Sequence, residues 1–385
     1  MALLDATRTA RRRPRLPRVD ELTWPAYAAA FGGSLAVAWV LTPLVLKVAI
    51  ARQVLDVPDD RKAQTSPVPY LGGLAIVAGF SAMCLAAAAI DRGATVVLEL
   101  AILLGIGLVL ALMGLLDDLR GGLSPLLRLI VEISAGAAVW ATGSGADLPA
   151  GPVVDLLVTV LWVVGITNAF NLLDNMDGLS AGVAALAGLS FCLIAGLNGQ
   201  FLVAALAAGV AGCATGFLRH NFHPAKIYMG DAGSLFLGFL LAVLGLKLTL
   251  TGTPSVVALF VPLLVLGVPV FDTTLVTWQR LTHGRNPMQG GRDHASHRLV
   301  WVGIPVPVAV CLLYAATVAL GWLAVLLARL DVTSGLLLVA FVLTVGTFLL
   351  GLLAAVPVYD NSRQRRAMLQ VVRTHEDDGE QRAAG

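Results

Sequence analysis

Eleven apolar runs, each close to the length that crosses a lipid bilayer, leave this 385-residue chain little choice but a membrane-embedded fold. They lie near residues 26–50, 71–90, 95–116, 125–142, 152–168, 179–197, 200–218, 232–250, 254–276, 304–328 and 333–356. Inside hydrocarbon every backbone N–H and C=O must be satisfied within the protein, so spanning segments are helices or closed barrels. Runs of this length predict an all-α, polytopic bundle of about eleven transmembrane helices. Composition agrees: 57% of residues are hydrophobic, 13% are charged and the mean hydropathy is +0.83. That excludes an ordinary soluble domain, and none fits between the helices. The chain divides into a basic N-terminal arm (1–25), a transmembrane domain (26–356) and a charged tail (357–385) expected to be disordered. The first apolar run starts too late and runs too long for a plain signal peptide.

The net charge of +2 says little, but its distribution says more. Connections after odd-numbered runs carry Arg52, Arg61, Lys62, Arg120, Arg219, Lys226, Arg280, Arg285, Arg292 and Arg298; the even ones hold little beyond Arg92 and Arg329. By the positive-inside rule the odd loops are cytoplasmic, and the protein is a multi-pass protein of the inner (plasma) membrane. Eleven spans then put the N-terminus outside, although it carries Arg8, Arg11, Arg12, Arg13, Arg15 and Arg18. Either that arm is an exception, or the start is misassigned, or one span is miscounted. Cys84, Cys192, Cys213 and Cys311 stand singly in apolar runs without metal spacing and read as buried packing residues. No Walker loop, zinc pattern or Gly-x-Ser-x-Gly elbow occurs.

Polar chemistry concentrates on the odd loops. Asn168-Ala-Phe-Asn-Leu-Leu-Asp-Asn-Met-Asp-Gly178 packs three asparagines and two aspartates into eleven residues. Asn168, Asn171, Asp174 or Asn175, and Gly178 recur at helical spacing, which predicts one polar stripe. Capping alone needs only one or two such residues. Amides and carboxylates facing one point suit a hard cation such as Mg²⁺ and the phosphates it neutralises. Asp117 and Asp118 are adjacent at the end of the third run. One meets a substrate while the other pairs with a base such as Arg120, or both sit on an unwound turn. In Gly230-Asp-Ala-Gly-Ser234, Asp231 lies between glycines at a predicted helix start, where the helix dipole favours anions. As a simple helix cap it would read the same way. The loop 277–300 holds three of six histidines and four arginines, a density suited to a polyphosphate or, more plainly, to lipid headgroups. Residues 56–76 form a proline-stiffened loop with Lys62 as its natural phosphate contact.

Taken in order, Arg61-Lys62…Pro67-Val-Pro69…Gly72-Gly73, Asp117-Asp118, Asn168-x-x-Asn-x-x-Asp-x-x-Asp-Gly178, Gly230-Asp-Ala-Gly-Ser234 and the His/Arg loop resemble the polyprenyl-phosphate N-acetylhexosamine-1-phosphate transferases. The match covers about 56–299. The resemblance implies an enzyme that joins a UDP-N-acetylhexosamine to a membrane polyprenyl (undecaprenyl or decaprenyl) phosphate, giving polyprenyl-diphosphate-sugar and UMP. It implies Mg²⁺, with Mn²⁺ as a substitute, at Asn171 and Asp231. Asp117 and Asp118 match the catalytic carboxylates near the lipid phosphate, and Asp177 the position that contacts uracil. Asp174 completes that aspartate motif on the nucleotide side. Lys62, Arg292, His294, His297 and Arg298 match the basic positions around the diphosphate. Partners would be the two substrates, the bilayer and, as an option, a second copy in a homodimer; no nucleic acid is expected. Direct transfer and a route through an aspartyl-phosphate both remain open.

Three positions depart from the family pattern. Its third loop often reads His-x-His-His, where this chain has His294-Ala-Ser-His297, so Ser296 replaces a histidine. Gln64 stands where histidine often follows the first-loop lysine, and Asn175 where glycine is common. The Gly-Arg-Asn-Pro and His-Arg-Leu runs look like the simple-sugar branch, which favours a GlcNAc-1-phosphate donor for surface polysaccharide or wall polymer. The alternative is a phospho-MurNAc-pentapeptide translocase. A transporter is the reading from another class, but the runs hold few ionisable groups: Glu99, Asp272 and Lys247 near predicted ends, and Glu132 as an i,i+4 partner of Arg128. A CDP-alcohol phosphotransferase is excluded by the absence of its Asp-Gly-x-x-Ala-Arg signature.

Overall fold

The structure, a computed structural model, describes residues 23–56, 67–90, 93–250, 252–253, 255–288 and 290–359. Residues 1–22 of the basic arm, Arg61, Lys62, Gln64, Arg92 and residues 360–385 of the charged tail lie outside them.

Helices account for nearly all of it: α1 (Thr23–Ala51), α2 (Gly73–Ile90), α3 (Ala94–Arg120), α4 (Pro125–Ala141), α5 (Pro152–Leu173), α6 (Leu179–Leu197), α7 (Phe201–Asn221) and α8 (Gly230–Lys247). Then come α9 (Ser255–Ala258), α10 (Phe260–Val265), α11 (Gly267–Thr282), α12 (Ala295–Trp301), α13 (Val306–Leu327) and α14 (Val332–Ala354). Among the described residues nine helices are long and apolar enough to span, and a bent pair adds a tenth. The eleventh run is α4, whose 17 residues reach about 25 Å at 1.5 Å per residue. All eleven runs are therefore helical.

The run at 254–276 is not one helix. It breaks after Ser255–Ala258 and again at Leu266, where α10 and α11 meet at 80°. Pro262 and Pro269 withdraw two backbone donors on either side of that bend. α11 then runs on to Thr282, carrying Asp272 into the protein, where it is 2% exposed rather than at a helix end. Hydropathy could not report the break, because the sequence stays apolar through it. The proline-stiffened loop 56–76 is anchored at its ends by a two-residue antiparallel pair, β1 (Leu55–Asp56) with β2 (Val68–Pro69), and Tyr70 bridges Tyr228.

The polar stripe is also shorter than its spacing suggested. α5 stops at Leu173, so only Asn168 and Asn171 share its face, and Asp174 to Gly178 form the turn into α6. Gly178 takes a left-handed conformation, φ +76°, and Tyr314 donates to its carbonyl at 2.5 Å. Of the cysteines, Cys84, Cys192 and Cys213 are buried as expected, whereas Cys311 is exposed on α13.

α6, α7 and α8 form the buried centre, and α14 lies almost wholly exposed at the surface. Their buried faces are rich in alanine and glycine, which lets helices approach closely where lipid offers no hydrophobic drive. One such close approach brings α3 against the start of α8. A side chain at Gly114 would sit 2.5 Å from the Ala232 nitrogen. That contact puts the C-terminal end of α3, with Asp117 and Asp118, beside Asp231. Gly114→Val should lower the Tm in detergent by wedging the two helices, a penalty of about 1–3 kcal/mol for overpacking. An unchanged Tm would show that α3 and α8 are not in this contact.

Candidate active site

Polar ends from separate helices converge at one end of the bundle. α3 does not unwind at its aspartates: it is helical to Arg120, and Gly121 at φ +72° closes it. Asp118 therefore points across to α8, where it accepts the backbone N–H of Asp231 at 3.1 Å and of Ala232 at 3.3 Å. These are first-turn donors of α8, which have no partner within their own helix. Gly230 makes this approach tolerable: at φ +73°, a Cβ there would lie 2.6 Å from Asp118 Oδ2. Asp231 is the second residue of α8, and the side chain that takes the free amides of that helix is Asp118, so the simple cap reading of Asp231 does not hold.

Asp117 turns the other way. Its Oδ1 accepts from Leu123 N at 2.7 Å, and its Oδ2 faces Arg128 at 3.6 Å. The expected partner, Arg120, is not the base it meets. Arg128, in the first turn of α4, is the hub. One guanidinium nitrogen lies 3.0 Å from Asp231 Oδ2, and the other donates to Asn171 Oδ1 at 3.0 Å. Asn171 in turn donates to Asp231 Oδ1 at 2.8 Å and to Ser234 Oγ at 3.0 Å. Asn171 and Asp231, 60 residues apart and paired in the family resemblance, thus lie in hydrogen-bond contact.

The expected Arg128–Glu132 pair does not form. Glu132, 1% exposed in mid-helix, accepts instead from the amide of Asn168, and its other oxygen has no partner among the described residues. Two rungs thus join α4 to α5 one turn apart, Arg128–Asn171 and Glu132–Asn168. The i,i+4 spacing matched both arrangements and could not tell them apart. Arg128 is the central contact of this cluster that the sequence did not point to; its one signal was a base beyond an acidic pair.

On the turn after α5, Asp174 is half-buried and its carboxyl makes no hydrogen bond among the described residues. Burial, and then the charges of Asp231, Asp118 and Asp177, push its carboxyl up to about 8. Asp177 accepts from His223 Nδ1 at 2.8 Å and Ala225 N at 3.0 Å, tying the α7–α8 loop to the same turn.

The His/Arg loop separates into two parts. His294 is 3% exposed, and its Nδ1 lies 2.7 Å from Asp272, which also accepts from Ala295 N at 2.7 Å. The His294 and His297 rings are 6.0 Å apart. Burial, followed by the charges of His294 and Arg292, lowers His297 to about 4, so it is neutral near pH 7. Arg292 is exposed. Arg298 faces inward, fully buried, donating to the carbonyls of Asp293 (2.7 Å), Leu353 (2.8 Å) and Val356 (3.1 Å). It clamps α12 to the end of α14 and does not open toward Asp231. Beside it Arg280 grips Asp293 with two bonds of 2.7 and 2.8 Å. Burial would raise Asp293, but the Arg280 and Tyr359 hydrogen bonds outweigh it and hold the carboxyl at about 2.

Residues 100–249 match the model of glycosyl transferase family 4. A Bacillus subtilis protein named as a probable undecaprenyl-phosphate N-acetylglucosaminyl 1-phosphate transferase is 34% identical over 74% of this chain and 80% of its own length. The chain belongs to glycosyl transferase family 4. A decaprenyl-phosphate N-acetylglucosaminephosphotransferase of Mycolicibacterium smegmatis is 32% identical over 72% of this chain and 76% of that protein. A phospho-N-acetylmuramoyl-pentapeptide-transferase of Desulforudis audaxviator is 30% identical over 70% and 88%. The family match spans the carboxylates of α3, Arg128, the asparagines of α5 and Asp231.

A test follows from Asp174. Its folded value lies above the unfolded one of about 3.9, so its contribution to stability is fully present below pH about 4 and is lost as pH rises through about 8. Asp174→Asn should therefore gain Tm over the wild type at pH 8 and much less at pH 5. A Tm difference independent of pH would mean the carboxyl is not held in its acid form.

Proposed function

We propose that this membrane protein transfers N-acetylglucosamine-1-phosphate from UDP-GlcNAc to a polyprenyl phosphate at the cytoplasmic face, releasing UMP. The observation that carries this reading is the Arg128 hub, which holds Asp117, Asn171 and Asp231 from three other helices at one end of the bundle. The named activities of the relatives supply the substrate class.

The reaction needs positioning and charge neutralisation more than covalent help. A phosphate oxygen of the lipid attacks the β-phosphorus of the donor. The bond from that phosphorus to the bridging oxygen breaks, UMP leaves, and the sugar–phosphate bond survives. A phosphate monoester has its second pKa near roughly 6, so the lipid phosphate is largely dianionic and needs no strong base. Arg128 meets the charge that accumulates. Asp118 has both oxygens on the amides of α8, and Asp117 one oxygen on Leu123 N, which favours direct attack over an aspartyl-phosphate.

A divalent ion fits this donor set. Asp117, Asp118, Asp174 and Asp231 interact electrically, Arg128 alone pairs with two of them, and the Asp174 carboxyl is unpartnered among the described residues. No group of three such side chains makes a finished cage among the described residues. Mg²⁺ suits that, because it takes one or two carboxylates and completes its shell with water and substrate phosphates. Asp231 and Asn171 would hold it, and it would supply charge neutralisation across both phosphates.

Purified protein given UDP-GlcNAc, undecaprenyl phosphate and Mg²⁺ should release UMP, and EDTA should stop it. Asp231→Asn should nearly abolish turnover with the protein still folded; near-wild-type turnover at saturating Mg²⁺ would remove Asp231 from the metal site. Asp177→Ala should raise the donor KM about tenfold or more, as expected for one charge-assisted hydrogen bond. The pentapeptide-transferase relative keeps a second donor in view. UDP-GlcNAc, UDP-GalNAc and UDP-MurNAc-pentapeptide should be competed directly, and faster turnover of the last would replace the donor while leaving the reaction class intact.

A further inference from the structure

We infer that Asn175 and Ser296 form a latch that sets the spacing of the donor-binding loops, making the pair a determinant of affinity for the nucleoside-diphosphate sugar. The inference rests on the transferase reading above. Ser296 Oγ donates to Asn175 Oδ1 at 2.7 Å, joining positions 121 residues apart. Among the described residues it is the single side-chain hydrogen bond between the α5–α6 turn and the segment 283–301.

Both partners are committed. The Asn175 amide nitrogen donates to Leu172 O at 2.7 Å, so its oxygen is the end that faces Ser296. Ser296 is 1% exposed, where a hydroxyl without an acceptor would be costly. The first turn of α12 is therefore held from two sides, by Asp272 through Ala295 N and His294, and by Asn175 through Ser296. Asp174 and Asp177 flank Asn175 on one loop; His294 and His297 flank Ser296 on the other. The latch thus lies between an aspartate pair and an imidazole pair and fixes how far apart they stand.

The pair also unites two of the three sequence departures. Serine replaces histidine at 296 and asparagine replaces glycine at 175, and the two substituted side chains touch. Glycine at 175 would leave Ser296 with no acceptor on that turn. The two substitutions make sense together and neither does alone.

Donor and lipid KM should be measured separately by UMP release. Asn175→Ala and Ser296→Ala should each raise the UDP-GlcNAc KM by roughly three- to tenfold, the value of one buried hydrogen bond. kcat and the lipid KM should stay within about twofold. The double variant should be no worse than either single one, because both remove the same contact. Ser296→Thr keeps the hydroxyl and should restore the wild-type donor KM, which also guards against an Ala variant that merely folds poorly. Additive effects, an equal shift in lipid KM, or an unchanged donor KM would overturn the latch while wild-type UMP release kept the transferase reading standing. A wild type that released no UMP would overturn that reading, and this inference with it.

Discussion

A carboxylate from one helix occupying the free amides of another is the interaction on which the site depends. The first turn of any helix exposes N–H groups with no partner of their own, and in a membrane they are costly to leave bare. Here Asp118 satisfies two of them at the start of α8. That bond fixes the axial position of α8 against α3, and so the height at which Asp231 enters the site. Gly114 and Gly230 exist in service of it, one clearing the helix contact and the other clearing the carboxylate itself.

Once α8 is placed, the electrostatics follow. Several carboxylates gather where water gives way to protein, with Arg128 as the one guanidinium bonded among them in the described residues. Such a site carries surplus negative charge, and a proton held on Asp174 relieves part of it. Under the proposed reading a cation would relieve the rest, so that the phosphates of the substrates would not be repelled. The histidines differ, because burial keeps His297 neutral, so that side of the site offers hydrogen bonds more than charge.

The bundle was legible because membrane helices announce themselves by length, and run length needs no tertiary knowledge. Asp117, Asp118, Asn171 and Asp231 were legible because polar residues at apolar helix ends have few bland explanations. Other features had no such signal. The bend at Leu266 lies within unbroken apolar sequence. Arg128 had one partner at helical spacing, Glu132, and only the packing of α4 against α5 gave it Asn171 instead. Arg298 sits in a loop crowded with bases, and nothing in a sequence distinguishes an arginine facing phosphate from one facing backbone carbonyls. Lys62 lies outside the described residues.

The Arg298 clamp bears on how the molecule is made. Its guanidinium is buried against carbonyls at Leu353 and Val356, more than fifty residues further along the chain. During synthesis that guanidinium lacks these two acceptors until α14 has been inserted and its end has emerged on the same side. α14 contributes little packing and no site residue, yet it supplies the acceptors that let α12 settle. α14 therefore acts as a closing element, and the histidine side of the site is assembled only once the chain has been made through Val356.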